Sequence, residues 1–527
     1  MQPRLLPVGM VMFPVVMALG LGFEGWRLAQ MGVLALSAWV WLLWPARHRW
    51  VRLLQAGMAG LFGLAFLLDA GVRLYLRHSY DASPASAMVM AAVANTHWHE
   101  GAEYLQMQGP CLLLAVSGLG GGLACLLAGL WFWWRLEPAA AGRPSRVWAL
   151  GVLLCLVLPL ASKQWRQLHP LVFWTHWSQS VTGLHQQWSE LGASRQALMQ
   201  RAQEQAPRAD AASPQTVVLV LSESINRKHL SIYGYLRPTS PQLALKKNLE
   251  ADRLRVFEHA WSVDASTVPA LRNFFYFGDA QGRQQHLLSL AAAAGYQTWW
   301  ISNQDDVAIE QEHARLAGQV HLLNKQPGRG SRSLDQHSLP VLEQALRGAA
   351  PRKLIVLHLI GAHPDYRLRY GQDAGRFKGV QDEIYQELKA QGRSKWVREL
   401  RNDYDSALHY HDAVVTDTLA LTRKLGGRAA WMFFSDHGQD VGSSGNRAGH
   451  SSQSVEGYRI PLLIWGQGVQ ALPQQVDTRQ VRSDWLAHSM MNLLDIDWPG
   501  HRPDRDVLDP AYRWVAPALP ASVQPLR

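Results

Sequence analysis

At 527 residues with a net charge of +10, the chain is too long for one ordinary core, and its charges are unevenly spread. The first 200 residues carry 13 Lys/Arg and 7 Asp/Glu and the rest carry 38 and 34, so an apolar front is joined to an ordinary soluble back. That division excludes a disordered chain, a coiled coil and a purely soluble enzyme. With no long basic run or zinc-finger spacing, it gives no reason to expect a nucleic-acid partner.

A membrane-spanning helix needs about 20 apolar residues. Residues 5–23, 28–44, 53–68, 111–134 and 147–161 meet or approach this, which predicts a five-helix transmembrane domain over residues 1–161. The first stretch is expected to stay as an anchor, because a second follows within a few residues and no small-residue cleavage site separates them. Arg47, Arg49 and Arg52 lie between spans two and three, and Arg135, Arg143 and Arg146 between spans four and five. Short basic loops remain in the cytoplasm, so everything after residue 161 is expected outside it. Fourteen of the 23 tryptophans fall in the first 200 residues, many at span ends, as interfacial belts require.

Two outer segments are more than connectors. Residues 69–109 form an outer loop that carries Asn95, Thr96, His97, His99, Glu100 and Glu103. Residues 165–190, with Trp174 and Trp177 among polar residues, read as an amphipathic helix lying on the bilayer. With the Ala/Gln/Arg/Asp-rich stretch 201–215 as linker, residues 162–215 form an interfacial helix and tether. All three cysteines, Cys111, Cys125 and Cys155, sit in apolar stretches, so the soluble part has no disulfide framework.

From residue 216 to 527, strand-like apolar runs alternate with helical patterns, which predicts an α/β/α sandwich with a mostly parallel sheet. Residues 216–221 lead into Ser222-Glu223, 298–301 into Ser302-Asn303-Gln304, 354–359 into Gly361-Ala362-His363, and 430–434 into Ser435-Asp436-His437-Gly438. In open α/β sheets ligands bind at the carboxyl ends of strands, so four distant segments can converge there. Singly, Glu223 or Asp436 is as often a helix N-cap, His363 more often packs, and Thr267 in Ser266-Thr267-Val268-Pro269 reads first as a helix start. Together with His450, they supply two carboxylates and three imidazoles, a donor set that suits zinc, with manganese the alternative. A helix amino terminus stabilises both an alkoxide and a phosphoryl group, which makes Thr267 the candidate nucleophile and Ser266 the fallback. His259, His313, His409 and His411 are expected to pack, and Tyr404, Asp405 and Tyr410 to be packing or solvent-facing groups. The charge-rich stretch 370–402 reads as a solvated helical face, and the tail after Asp509 carries no readable pattern.

Glu223 is followed at short distance by Gly234-Tyr235-Leu236-Arg237-Pro238-Thr239-Ser240-Pro241, and Ser435-Asp436-His437-Gly438 comes later, all behind five apolar spans. This order resembles the phosphoethanolamine transferases of bacterial surface glycolipids, which belong to the alkaline-phosphatase and sulfatase superfamily. The resemblance implies that Glu223, Asp436, His437 and the Thr267 hydroxyl bind zinc and that Thr267 becomes phosphorylated. It implies that His363 and His450 contact the substrate phosphate or hold a second zinc. It further implies that Thr96 and Glu100 contact the ethanolamine end, with Asn303 and Gln304 at the headgroup. The donor would be phosphatidylethanolamine and the acceptor a surface glycolipid, with a monomeric protein in the inner membrane and its catalytic domain in the periplasm. Thr267 lies two residues before Pro269 with no cysteine nearby, which favours the disulfide-free, lipopolysaccharide-core branch over the lipid A branch. A formylglycine sulfatase would need Cys/Ser-x-Pro-x-Arg, which Thr267-Val268-Pro269-Ala270-Leu271 lacks. Transfer of phosphoglycerol, or of phosphoethanolamine to a periplasmic glucan, is the alternative, and a non-enzymatic membrane sensor is the outsider.

Overall fold

The computed structural model describes the chain except residues 1, 24, 45, 47, 81–82, 86, 96–108, 137–149, 151–152, 154–156, 158–161, 190, 210–214, 279–283, 305–306, 325–332, 372–373, 469–471, 474 and 524–527. It divides into two compact units, residues 1–90 with 105–184, and residues 91–104 with 185–527.

The first unit is helical: α1 (Gln2–Gly22), α2 (Gly25–Leu43), α3 (Arg49–Tyr80), α4 (Gly109–Arg135) and α5 (Pro170–Ser189). Among the described residues three helical stretches, Gly25–Leu43, Arg49–His78 and Ser117–Arg135, are long and apolar enough to cross a membrane, and Leu6–Gly22 is apolar but shorter. The expected span 147–161 lies outside the described residues, apart from isolated positions, so the structure gives three candidate spans where five were expected. Arg52 at the start of α3 donates to the carbonyls of Trp133, Trp134 and Leu136 at the end of α4, satisfying oxygens that a helix terminus leaves open. In α5, Trp174 Nε1 donates to the buried Asp69 of α3 (3.0 Å) and Trp177 Nε1 to Pro84 O (2.6 Å). These two indole N–H groups therefore find protein partners.

The second unit is an α/β sandwich. Its sheet contains β1 (Gln215–Ser222), β2 (Leu254–Val256), β3 (Gln297–Ser302), β4 (Gln319–Leu322), β5 (Arg352–His358), β6 (Ala429–Ser435) and β7 (Leu462–Gln467), in the order β2-β7-β6-β1-β5-β3-β4. Strands β6, β1, β5, β3 and β4 are mutually parallel, and β7 runs antiparallel to both β6 and β2. All eight residues of β1 are buried, as expected for a parallel strand covered on both faces, whose sequence reads as an unbroken apolar run. Val217, Leu219 and Leu221 enter one core with α6 (Leu191–Glu204) and α8 (Thr267–Phe275). Val218 and Val220 enter the other with α7 (Pro241–Leu249) and α9 (Lys395–Leu425).

Two expectations change here. Residues 201–204, expected to belong to the linker, complete α6, which buries Leu198 and Ala202 in the sheet's core, and Arg208–Ala209 pairs with Ile496–Asp497. The tail is also ordered by burial, since Trp514, Leu519 and Val523 pack with Trp261, Ala265 and Tyr458.

Candidate active site

Four neighbouring strands, β6, β1, β5 and β3, deliver the candidate residues from adjacent carboxyl ends. Glu223 follows β1 directly and is 3% exposed. Gln304 Nε2, after β3, donates to its Oε2 at 2.5 Å, and His363 Nε2, after β5, lies 3.2 Å from Oε1. The next residue, Ser224, is held at φ +61°, a left-handed conformation that costs a non-glycine residue energy and clusters at functional sites. Its amide donates to Asp436 Oδ1 (3.3 Å) and its carbonyl accepts from Tyr404 Oη (3.1 Å). Gly361 also takes φ +61°, and a Cβ there would fall 2.6 Å from Glu223 O, so the His363 turn packs directly on the Glu223 backbone.

Asp436 and His437 follow β6, both buried. Asp436 Oδ1 accepts from His437 N (2.7 Å), while Oδ2 takes no hydrogen bond from the described residues and lies 3.5 Å from His437 Nε2. Burial pushes the Asp436 carboxyl up, against the opposing pull of His437 and the Thr267 hydroxyl. His437 Nδ1 donates to Gly438 O (2.8 Å), which fixes the tautomer and leaves Nε2 as an acceptor. Thr267 Oγ1, in the first residue of α8, lies 3.3 Å from that Nε2. Ser266 is engaged elsewhere, its Oγ donating to Asp264 Oδ1 (3.3 Å). His450 follows a pair of two-residue antiparallel strands in which Asp440 pairs with Gly449 and Val441 with Ala448, and its ring stands 4.6 Å from that of His437 and 6.4 Å from that of His363.

Glu223, His363 and His450 place one ligand atom each within 4.8 Å of one another. A buried carboxylate oxygen without a donor, an imidazole nitrogen held as acceptor and a hydroxyl beside it fit a metal of zinc's ligand preference next to this cluster.

Some expected roles are redrawn. Asn303 is fully buried, with Nδ2 on Asp335 Oδ1 (2.9 Å) and Oδ1 accepting from Ser333 Oγ, so its amide is committed away from any headgroup. Gln304 reaches Glu223. Thr96 and Glu100 lie outside the described residues. Tyr404 and Asp405 are buried rather than solvent-facing. Arg237 binds Asp405 (2.6 Å), Asn402 (2.8 Å) and both oxygens of Asp382, and Thr239 Oγ1 donates to His229 O, so the Gly234–Pro241 run clamps its segment to α9. Sequence reasoning missed Asp264, whose Asx-turn position before Ser266 was a usable signal. It also missed Asp335 and the reach of His411, which carried none.

A sulfatase-type sheet edge with this donor set defines the class, and residues 215–496 match the sulfatase family; the chain belongs to it. It is similar to phosphoethanolamine transferase CptA of Salmonella typhimurium, 27% identical over 542 residues, covering 94% of this chain and 89% of that one. It is likewise similar to phosphoethanolamine transferase EptC of Escherichia coli, 27% identical over 477 residues, covering 82% and 79%. The C-terminal periplasmic domain of Escherichia coli EptC, solved in complex with zinc, superimposes with a TM-score of 0.56 at 26% identity, over 60% of this chain and 93% of that domain. The integral membrane phosphoethanolamine transferase EptA of Neisseria meningitidis shares the fold over 91% of this chain and 98% of its own, with a TM-score of 0.56 and 19% identity. The resemblance read from Glu223, the Gly234–Pro241 run and Asp436-His437 thus agrees with these relatives, which are named phosphoethanolamine transferases.

Proposed function

We propose that this protein is a phosphoethanolamine transferase that moves the headgroup of phosphatidylethanolamine onto a lipopolysaccharide core or lipid A acceptor through phosphorylated Thr267. Relatives of this chain are named phosphoethanolamine transferases, which supports the reading. The observation that carries the reading is the Thr267 hydroxyl at the amino end of α8, 3.3 Å from His437 Nε2. Zinc held by Glu223, Asp436, His437 and Thr267 would lower the hydroxyl's pKa, as it lowers that of bound water from about 15.7 to about 7, and neutralise phosphoryl charge.

The remaining work falls to side chains. Thr267 Oγ1, having lost its proton, forms a bond to phosphorus while the bond to the diacylglycerol oxygen breaks. The start of α8 favours the developing negative charge. His363 or His450 gives the departing oxygen a proton and then takes one from the acceptor hydroxyl as it displaces Thr267. Gln304 and His363 hold the Glu223 carboxylate in place. We assign the protein to the bacterial inner membrane with five spans and a periplasmic catalytic domain, acting as a monomer, since its donor cannot leave the bilayer.

The test uses the purified full chain and a fluorescent phosphatidylethanolamine. Wild type should release diacylglycerol and retain the mass of phosphoethanolamine on the Thr267 peptide, and Thr267→Ala should do neither. Full release by Thr267→Ala would refute the nucleophile, and a phosphoglycerol adduct would change the donor.

A further inference from the structure

Beneath the site lies a buried carboxylate that the proposed chemistry does not use. Asp335 opens the short 3-10 turn Asp335–His337 and is 5% exposed. Its Oδ1 accepts from Asn303 Nδ2 and from Ile360 N, both at 2.9 Å, and its Oδ2 accepts from Gly361 N at 2.9 Å. His411 of α9 places Nδ1 3.4 Å from Oδ2 and Nε2 2.8 Å from Ser222 Oγ. Burial alone would raise this carboxyl, but His411, Asn303 and the Ile360 amide outweigh it and hold the group below its usual range, so it is ionised at neutral pH.

Each partner adjoins a strand end of the site. Ser222 precedes Glu223 on β1, Asn303 precedes Gln304 after β3, and Ile360-Gly361 lead to His363 after β5. The two loops that Asp335 holds are those whose Gln304 and His363 reach the two oxygens of Glu223. Ala362 N also donates to Glu223 O at 3.0 Å. A sub-ångström shift at 360–361 would therefore be felt at both ends of that carboxylate, since a charge fixed by several donors in a dry interior leaves little slack.

We propose that Asp335, braced by His411, is a positioning residue that sets Gln304 and His363 against Glu223. The inference rests on the phosphotransfer reading of this site. It is tested on the full chain by a double-mutant cycle between Asp335→Asn and His363→Ala, using diacylglycerol release, together with hydrogen exchange of peptides covering 358–364. Asp335→Asn retains one acceptor but presents N–H groups to N–H groups. It should lower kcat about 10- to 100-fold, the usual cost of losing a group that orients a ligand, with KM little changed. It should add little in the His363→Ala background and should raise exchange at 358–364 while leaving 429–435 protected. Should Asp335→Asn not fold, His411→Gln and Asn303→Ser perturb the same node more gently and carry the same expectations. Unchanged exchange, or losses that simply multiply, would overturn the positioning role. Full activity of His363→Ala would instead refute the reading of the site, with the exchange result still deciding the link.

Discussion

Two adjacent hydroxyls begin α8, and their neighbours decide which is free to react. Ser266 Oγ is spent on Asp264, whereas Thr267 Oγ1 faces an imidazole nitrogen whose partner nitrogen is already donating to Gly438 O. The same logic marks Asp436. Its Oδ1 is satisfied by two backbone amides, and its Oδ2 is buried without a donor, a costly arrangement unless a cation uses it. Asp436→Asn preserves the shape and the Oδ1 acceptor but places an N–H group where the cation would be. We expect the variant to purify with well under one equivalent of zinc by elemental analysis, and diacylglycerol release to fall about 100-fold or more, comparable to deleting one charge-stabilising group. Full zinc content would remove Asp436 from the ligand set. Asp436 was legible because it stands just after an apolar run, and Thr267 because a hydroxyl with a proline two positions later marks a helix start. Asn303 stood in the same kind of place, yet its amide is bound to Asp335 and Ser333, because adjacency to a strand end does not say which way an amide points. Asp335 and His411 lie in no motif, and only the fold brings them under Glu223.

At the scale of elements, the parallel strands were readable and the helices against them less so. A strand buried on both faces has only one composition open to it, a short unbroken apolar run. The charge-rich stretch 370–402 keeps Glu383, Glu387, Lys389 and Lys395 exposed, as a solvated face requires, whereas from Asn402 onward along α9 polar groups are buried with distant partners: Asn402 with Arg237 and the Val380 carbonyl, Asp405 with Arg237, and Asp412 with α7. The last case has a measurable consequence. The N-cap of α7, Ser240, makes no side-chain cap bond, and its first turn is capped instead by Asp412, which accepts from Gln242 N (2.8 Å) and Leu243 N (3.0 Å). Burial raises the Asp412 pKa to about 6, against the pull of those two amides. In the unfolded chain the group titrates near its ordinary value of 3.8, so between these values the folded state holds a proton that the unfolded state has lost. This group's contribution to stability is therefore full below pH 4 and declines as pH rises through 6, by up to about 3 kcal/mol. Relative to Asp412→Asn, wild type should lose stability from pH 4 to 7 in denaturant or thermal unfolding of the detergent-solubilised chain. A difference constant over that range would show that Asp412 titrates normally.

For the whole molecule, the decisive property is the side of the membrane on which the sulfatase-type unit lies, because the proposed transfer requires a donor headgroup and a glycolipid acceptor both to reach Thr267. On the proposed topology the loop arginines would place the connections after spans two and four in the cytoplasm, on a rule that counts only Lys and Arg near span ends. Within the helical unit, the contacts of Arg52 with the last carbonyls of α4 put the start of α3 and the end of α4 on one side, as two cytoplasmic loops require. On the proposed topology, a span over 147–161 would carry residue 162 onward to the opposite face. After replacement of Cys111, Cys125 and Cys155 by serine, a cysteine introduced at Ser443, in the loop before His450, should react with a membrane-impermeant maleimide in intact spheroplasts, and one at Arg143 should react only after lysis. The reverse pattern would put the catalytic unit in the cytosol, where no surface glycan is available, and would require another acceptor even if Thr267 proved to be phosphorylated. Labelling of both sites from outside would mean that an even number of spans separates them, which would remove the stretch 147–161 from the membrane and reduce the anchor to four helices.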